Sequence, residues 1–229
     1  MNALLLCAGR GERLRPLTDS VPKPLVTVGG FPMIDHQLRA LAAADIRRVV
    51  INLSWLGSAI RGRVGDGRDY GVEVVYSDEG AEALETGGAA VKAAELLGRD
   101  PFLLMNGDVF SDVALDAVCA MSLEDNDLAH VVVVNNPSHH PQGDFALTAG
   151  RLRGRTNGPA YTYAGIGLYR PAFFLGYPPR FSLAQPLFRY ADAGRVSARL
   201  HDGVWFDMGS PERLSALEAF LTGARETQS

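Results

Sequence analysis

Two glycines followed by three cations form the most chemically loaded stretch of this sequence. Gly9 and Gly11 precede Arg13, Arg15 and Lys23, with only the small Ala8 ahead of them. Glycine lets backbone N–H groups approach an anion and reaches positive φ without steric cost. Guanidinium and ammonium groups add the charge that a neutral turn lacks, and the combination fits a polyphosphate. Two aspartates carry the opposite sign. Asp108 ends Asn106-Gly107-Asp108, and Asp207 lies in Trp205-Phe206-Asp207-Met208-Gly209, each just after an apolar stretch. A hard cation such as Mg2+ needs only one or two carboxylates, because phosphate oxygens and water complete its shell. Asn-Gly-Asp alone is more often a turn, so the second aspartate is what favours a metal reading.

Other chemistries fit poorly. The dinucleotide fingerprint fails because Leu14 stands where its third glycine belongs, and no glycine precedes a Lys-Ser/Thr pair as a Walker loop requires. His139 and His140 are adjacent, cannot share a helical face, and read as a solvated loop pair; there is no HExxH. Cys7 falls in a predicted strand without an evident base, which disfavours covalent catalysis. With no CxxC spacing, Cys7 and Cys119 read as buried small hydrophobes of a reducing cytoplasm. A net charge of −4 argues against nucleic acid or an anionic membrane surface as the main partner. The apolar run over residues 3–8 is too short for a secretion signal, and no stretch approaches the roughly 20 apolar residues of a membrane span.

Strands and helices must hold these residues. Leu4, Leu5, Leu6 and Cys7 form the continuous apolar run of a strand buried on both faces. Pro32 can open a helix with Ile34, Leu38 and Leu41 on one face, and residues 49–53 form the next strand. Strand, helix, strand begins a doubly wound α/β fold. Further strands are predicted over 72–76, 101–106, 129–134, 162–169, 196–200 and 204–207, with a hairpin from 145–148 to Leu152. Helices are predicted over 58–64, 87–97, 114–121, 183–193 and 211–221, with Thr86 as the cap of the second of these. Residues 78–86 read as an acidic loop and 222–229 as a frayed tail. Neither a low-complexity linker nor a repeat interrupts the chain, which favours a single domain over 1–229.

The composite G-x-G-x-R-L-x-P-L-T from Gly9 to Thr18, followed by Pro22-Lys23-Pro24-Leu25, resembles the signature of the sugar-nucleotide pyrophosphorylases. These nucleotidyltransferases join a nucleoside triphosphate to a sugar 1-phosphate. The resemblance implies a Rossmann-like three-layer αβα sandwich with a mixed, mainly parallel central sheet. Residues 1–134 would form a nucleotide-binding half and 135–221 a sugar-binding half. It implies catalytic roles for Arg13, Lys23, Asp108 and Asp207, the two aspartates holding Mg2+. Ala8, Gly9, Gly11, Glu79, Thr86, Gly87 and Asn106 fall at nucleotide positions, and Asn106, Gly143, Asp144, Tyr163 and Gly165 at sugar positions. The compact length and the stretch Asn135 to Phe145 are most similar to the family's small uridylyltransferases, which implies UTP and N-acetylmuramic acid α-1-phosphate as substrates. Mannose or glucose 1-phosphate enzymes share nearly all these motifs and stay open. A non-catalytic sugar-nucleotide sensor is less favoured, because no candidate charged residue is missing. The expected assembly is a monomer or small homo-oligomer.

Overall fold

A computed structural model describes residues 1–156 and 158–226, the last three by their backbone alone. The N-terminal apolar run becomes β1 (Asn2–Leu6), followed by the phosphate-type loop and the short ribbon β2 (Thr27–Val28) and β3 (Phe31–Pro32). Helix α1 (Met33–Ala43), β4 (Arg48–Leu53), α2 (Gly57–Val64) and β5 (Glu73–Asp78) come next. They are followed by α3 (Glu85–Lys92), α4 (Ala94–Leu97), β6 (Phe102–Asn106), β7 (Val109–Ser111), α5 (Leu115–Cys119) and β8 (Ala129–Val134). The remainder holds β9 (Phe145–Thr148), β10 (Arg151–Gly154), β11 (Ala160–Tyr169), α6 (Ala184–Asp192), β12 (Val196–His201), β13 (Trp205–Asp207) and α7 (Pro211–Glu226).

A nine-stranded mixed sheet runs β5-β4-β1-β6-β11-β8-β12-β10-β9. Strands β5, β4, β1 and β6 are mutually parallel, whereas β11 is antiparallel to both β6 and β8. The sheet therefore does not divide at residue 134. Strand β11, drawn from the second half, is hydrogen-bonded into the middle of the sheet. Helices cover both faces. Ile34, Leu38 and Leu41 of α1 pack with Ile60 of α2 on one face, and Ala90, Leu97, Phe173 and Leu187 pack on the other. Leu4 and Leu5 are fully buried between these layers, which is why their strand tolerates no alternation of polar residues.

Four local expectations are corrected. Helix α3 starts at Glu85, so Thr86 lies inside it; the Thr86 hydroxyl accepts the Leu183 N–H at 2.8 Å instead of capping the helix. The continuous helix expected over 87–97 breaks into α3 and α4 at Ala93. The C-terminal helix continues to Glu226, because Gly223 costs a helix only about 1 kcal/mol and no proline follows. The rest of the expected tail, 227–229, lies outside the described residues. Cys119 is only partly buried, unlike Cys7.

The buried carboxylate of Asp35 ties α1 to α2. It accepts hydrogen bonds from the Arg63 guanidinium and from the Tyr70 hydroxyl at 2.8 Å. Burial pushes its acidity toward the neutral form, but these donors outweigh burial and hold its pKa below the ordinary aspartate value. A lowered folded pKa gives stability that is complete above the unfolded value near 4 and is lost as pH falls through the folded one. Asp35→Asn should thus destabilise the fold by about 1–3 kcal/mol at pH 7 in urea denaturation. The gap to the wild type should shrink on acidification below about pH 4; a gap that stays constant would show that the carboxylate charge is not what holds the two helices.

Candidate active site

Strand ends create the site, since β1, β4, β5 and β6 are parallel and the loops after them gather at one edge of the sheet. After β1, the Cys7 N–H donates to Asn52 Oδ1 at 2.7 Å. Asn52 Nδ2 donates to Glu79 Oε1 at 2.8 Å, and Glu79 Oε2 accepts the Leu84 N–H at 2.7 Å. This buried relay fixes the start of the glycine loop against the ends of β4 and β5. Gly11 adopts φ 69°, where an added Cβ would lie 3.0 Å from Thr18 Cγ2, and the Thr18 hydroxyl donates to the Gly11 carbonyl at 2.8 Å. Gly9 faces open space, with no atom within 4 Å of an added Cβ. The loop borders a cavity of about 580 Å³ together with Ala8, Arg13, Lys23, Glu79 and Thr86.

The Asn106-Gly107-Asp108 turn is pinned from two sides. Gln37 of α1 donates through Nε2 to the carbonyls of Asn106 and Val109, both at 2.9 Å, and the Gly107 N–H donates to Leu6 O at 2.8 Å. A Cβ at 107 would sit 2.3 Å from that carbonyl, so glycine is required there. The turn presents Asp108 to the Lys23 ammonium, and the two form a close ion pair. Arg13, in contrast, has no hydrogen bond or ion pair among the described residues, and it borders both this cavity and a second one. Arg15 is directed away, onto Asp19 at 2.7 Å, and Arg10 lies over the Trp55 ring at 3.7 Å.

The second cavity, about 920 Å³, adjoins the first, and Arg13, Asn106 and Asp108 line both. Strand β13 pairs antiparallel with β7, and the Met208 N–H donates to Asp108 O at 2.9 Å, which sets Asp207 beside Asp108 on this wall. Asn106 Oδ1 is buried without a protein hydrogen-bond partner. Gly165, at φ 76°, passes so close to Asn106 that a Cβ would lie 2.6 Å from Nδ2. Two carboxylates, one in the turn before β7 and one at the end of its partner β13, are oxygen donors of the kind a hard cation that also touches phosphate takes, although in this structure Asp108 pairs with Lys23 and Asp207 with Arg213 and His139. Burial, aided by the negative Asp108, pushes the Cys7 thiol well above its ordinary pKa, so it is not a thiolate nucleophile at neutral pH.

Several candidate positions stand behind the walls. The Gly87 N–H is bonded to Phe181 O at 3.0 Å, and a Cβ there would collide with the Phe181 ring at 2.3 Å. Gly143 packs under Asn136 and Tyr161 at φ 61°. Asp144 accepts from the Tyr163 N–H at 2.9 Å and holds His140 Nε2 at 2.9 Å. The Tyr163 ring packs against the core, its hydroxyl 2.9 Å from that of Tyr169, and the residue borders the second cavity. Arg213 is not singled out by the sequence, and His139, exposed in its loop as expected, has a partner that the sequence does not show. Both contact Asp207: His139 Nε2 is 3.2 Å from Oδ2, and Arg213 Nη1 bonds Oδ1. The only signal in the chain was a cation six positions beyond a candidate metal carboxylate.

The chain is similar to proteins of one chemistry. A family model described as nucleotidyl transferase matches residues 2–144. N-acetylmuramate alpha-1-phosphate uridylyltransferase of Neisseria meningitidis serogroup B is 44% identical over 98% of this chain and 99% of its own length. The protein of that name from Caulobacter vibrioides is 34% identical over 97% of each. The crystal structure of HddC from Yersinia pseudotuberculosis complexed with GMP-PN superposes with a TM-score of 0.79 at 22% identity, over 96% of this chain and 98% of that one, which is evidence of fold alone. An anion-type glycine loop on a parallel strand, two carboxylates at neighbouring strand ends and near-full-length likeness agree, and this chain belongs to the nucleotidyl transferase family.

Proposed function

We propose that the chain transfers the uridylyl group of UTP to N-acetylmuramic acid α-1-phosphate, giving UDP-N-acetylmuramic acid and pyrophosphate. What carries this reading is the 44% identity to an N-acetylmuramate alpha-1-phosphate uridylyltransferase along essentially both full chains. The two adjoining cavities support it, since the first suits a nucleotide and the second a sugar phosphate. No described helix is long and apolar enough to cross a membrane, and we place the reaction in the cytoplasm as a step in cell-wall recycling.

The chemical difficulty is repulsion between two anions. A sugar phosphate oxygen forms a bond to the α-phosphorus of UTP while the bond from that phosphorus to pyrophosphate breaks. The attacking oxygen is already ionised, so no proton need move and no general base is required. Positioning and neutralisation carry the catalysis. Backbone N–H groups of Gly9 and Gly11, with Arg13, hold the triphosphate, and Lys23 pairs with the reacting phosphates. In the free protein Lys23 is paired with Asp108, so substrate phosphates take over a cation that is already in place. Asp108 and Asp207 would hold Mg2+, which supplies charge neutralisation at the α-phosphate and on the departing pyrophosphate. Asn106 stands at the junction of the cavities, its Oδ1 buried without a protein partner, and Gly165 leaves room for that side chain. Glu79 and Thr86 shape the base end of the first cavity, Glu79 through its bond to the Leu84 N–H.

Pyrophosphate release should be Mg2+-dependent and strongest for UTP with N-acetylmuramic acid 1-phosphate when UTP, GTP, dTTP and ATP are crossed with the corresponding N-acetylglucosamine, mannose and glucose phosphates. Preference for GTP and mannose 1-phosphate would refute the substrate assignment.

Lys23→Ala should lower kcat by about 100-fold or more, the scale of losing one preorganised charge-stabilising donor. Asp108→Ala should lose activity that raised Mg2+ restores poorly. Near-normal turnover in the first variant, or full rescue of the second, would remove the corresponding role.

A further inference from the structure

The basic residues bordering the second cavity are not equivalent. Arg13 stands at its junction with the first cavity, and His140 is tied back to Asp144. Arg213, near the start of α7, borders the second cavity and not the first. Its position is built rather than incidental. Gly209 leaves the space the guanidinium needs, because a Cβ there would come within 2.1 Å of Nη2. Nη1 bonds Asp207 and lies 2.9 Å from His139 Nε2, and the side chain is only 20% exposed. Both hydrogen-bond contacts fall on Nη1, whereas Nη2 packs against Gly209 and makes no hydrogen bond among the described residues, so the plane of the guanidinium is fixed while part of its donor set is unused.

The remaining walls carry Asp108, Asp207 and Glu212. A ligand carboxylate entering among three carboxylates without a cation would be strongly disfavoured. A neutral N-acetylhexosamine has no such requirement. We propose that Arg213, braced by Asp207 and His139, is the specificity-determining residue for a sugar 1-phosphate bearing a carboxylate on an ether substituent, which its guanidinium pairs. This rests on the second cavity being the sugar pocket, as proposed above. It adds to that reading by assigning the group that tells a lactyl ether from a free hydroxyl.

Binding of the two products that differ only in this ether, UDP-N-acetylmuramic acid and UDP-N-acetylglucosamine, tests it by titration calorimetry on the wild type, Arg213→Met and Arg213→Lys. Arg213→Met should weaken the acid by about 10- to 100-fold, the scale of a lost charge-assisted bond, and the neutral compound by much less. Arg213→Lys should recover part of the preference, since charge is kept and the fork is lost. Steady-state kinetics with the two sugar 1-phosphates should show the same collapse in the ratio of kcat/KM. Equal losses for both compounds would overturn the proposal and reduce Arg213 to a support for Asp207. A wild-type preference for the acid that survives in Arg213→Met would overturn it alone. A wild type with no such preference would overturn it together with the substrate assignment. If Arg213→Met does not fold, Arg213→Gln takes its place in the same comparison.

Discussion

The ion pair between Lys23 and Asp108 joins the two parts of the site that the chain builds separately. Lys23 belongs to the long loop after β1, whereas Asp108 belongs to the turn after β6. The pair draws that loop onto the carboxyl edge of the sheet. Lys23 is mostly sheltered from solvent, so screening by water and salt is reduced there. A buried pair of this kind is weak evidence for net stability, because desolvation offsets attraction. Its value lies in register: a cation and an anion that both serve phosphate chemistry are held at contact before a ligand arrives. Gln37 and the Gly107 N–H fix the anion's side of the pair, and the Gly11–Thr18 contact fixes the cation's.

The parallel core was legible because it depends on local pattern. Continuous apolar runs in β1, β6 and β8 and the apolar face of α1 are written in the types and spacing of consecutive residues, and the elements appeared within a few positions of where that spacing puts them. The places of Asp108 and Asp207 at strand ends were legible for the same reason, since each follows an apolar stretch, whereas Lys23 stood out only by its charge within a proline-flanked loop. What stayed hidden depends on pairing between distant segments. Gly87 looks like a loop glycine, yet Phe181, far along the chain, is what forbids a side chain there. Thr86 looks like a cap, yet its hydroxyl serves Leu183.

His139 and Arg213 show the limit most plainly. Nothing near His139 in the chain signals a carboxylate partner, and a pair of neighbouring histidines reads as solvated. Only the β7–β13 ribbon, which swings Asp207 beside Asp108, brings His139 and Arg213 to one carboxylate. Charge at such a position is set by three segments at once, and residue type alone cannot reveal which arginine of many is the one that meets it.

The seat of β11 between β6 and β8 also has a consequence in time. A ribosome makes the strands β5, β4, β1 and β6 first, but the open edge of β6 has no neighbour until Tyr169 has been synthesised and released from the exit tunnel. Until then, Phe102 and Leu104 line an unpaired strand edge, the kind of surface that recruits other chains. Long-range pairing of this sort also closes slowly. The nascent chain thus carries the glycine loop and Lys23 well before it possesses the strand that completes the wall beside Asn106, and a truncated product ending near residue 134 would be an aggregation risk rather than a partial enzyme.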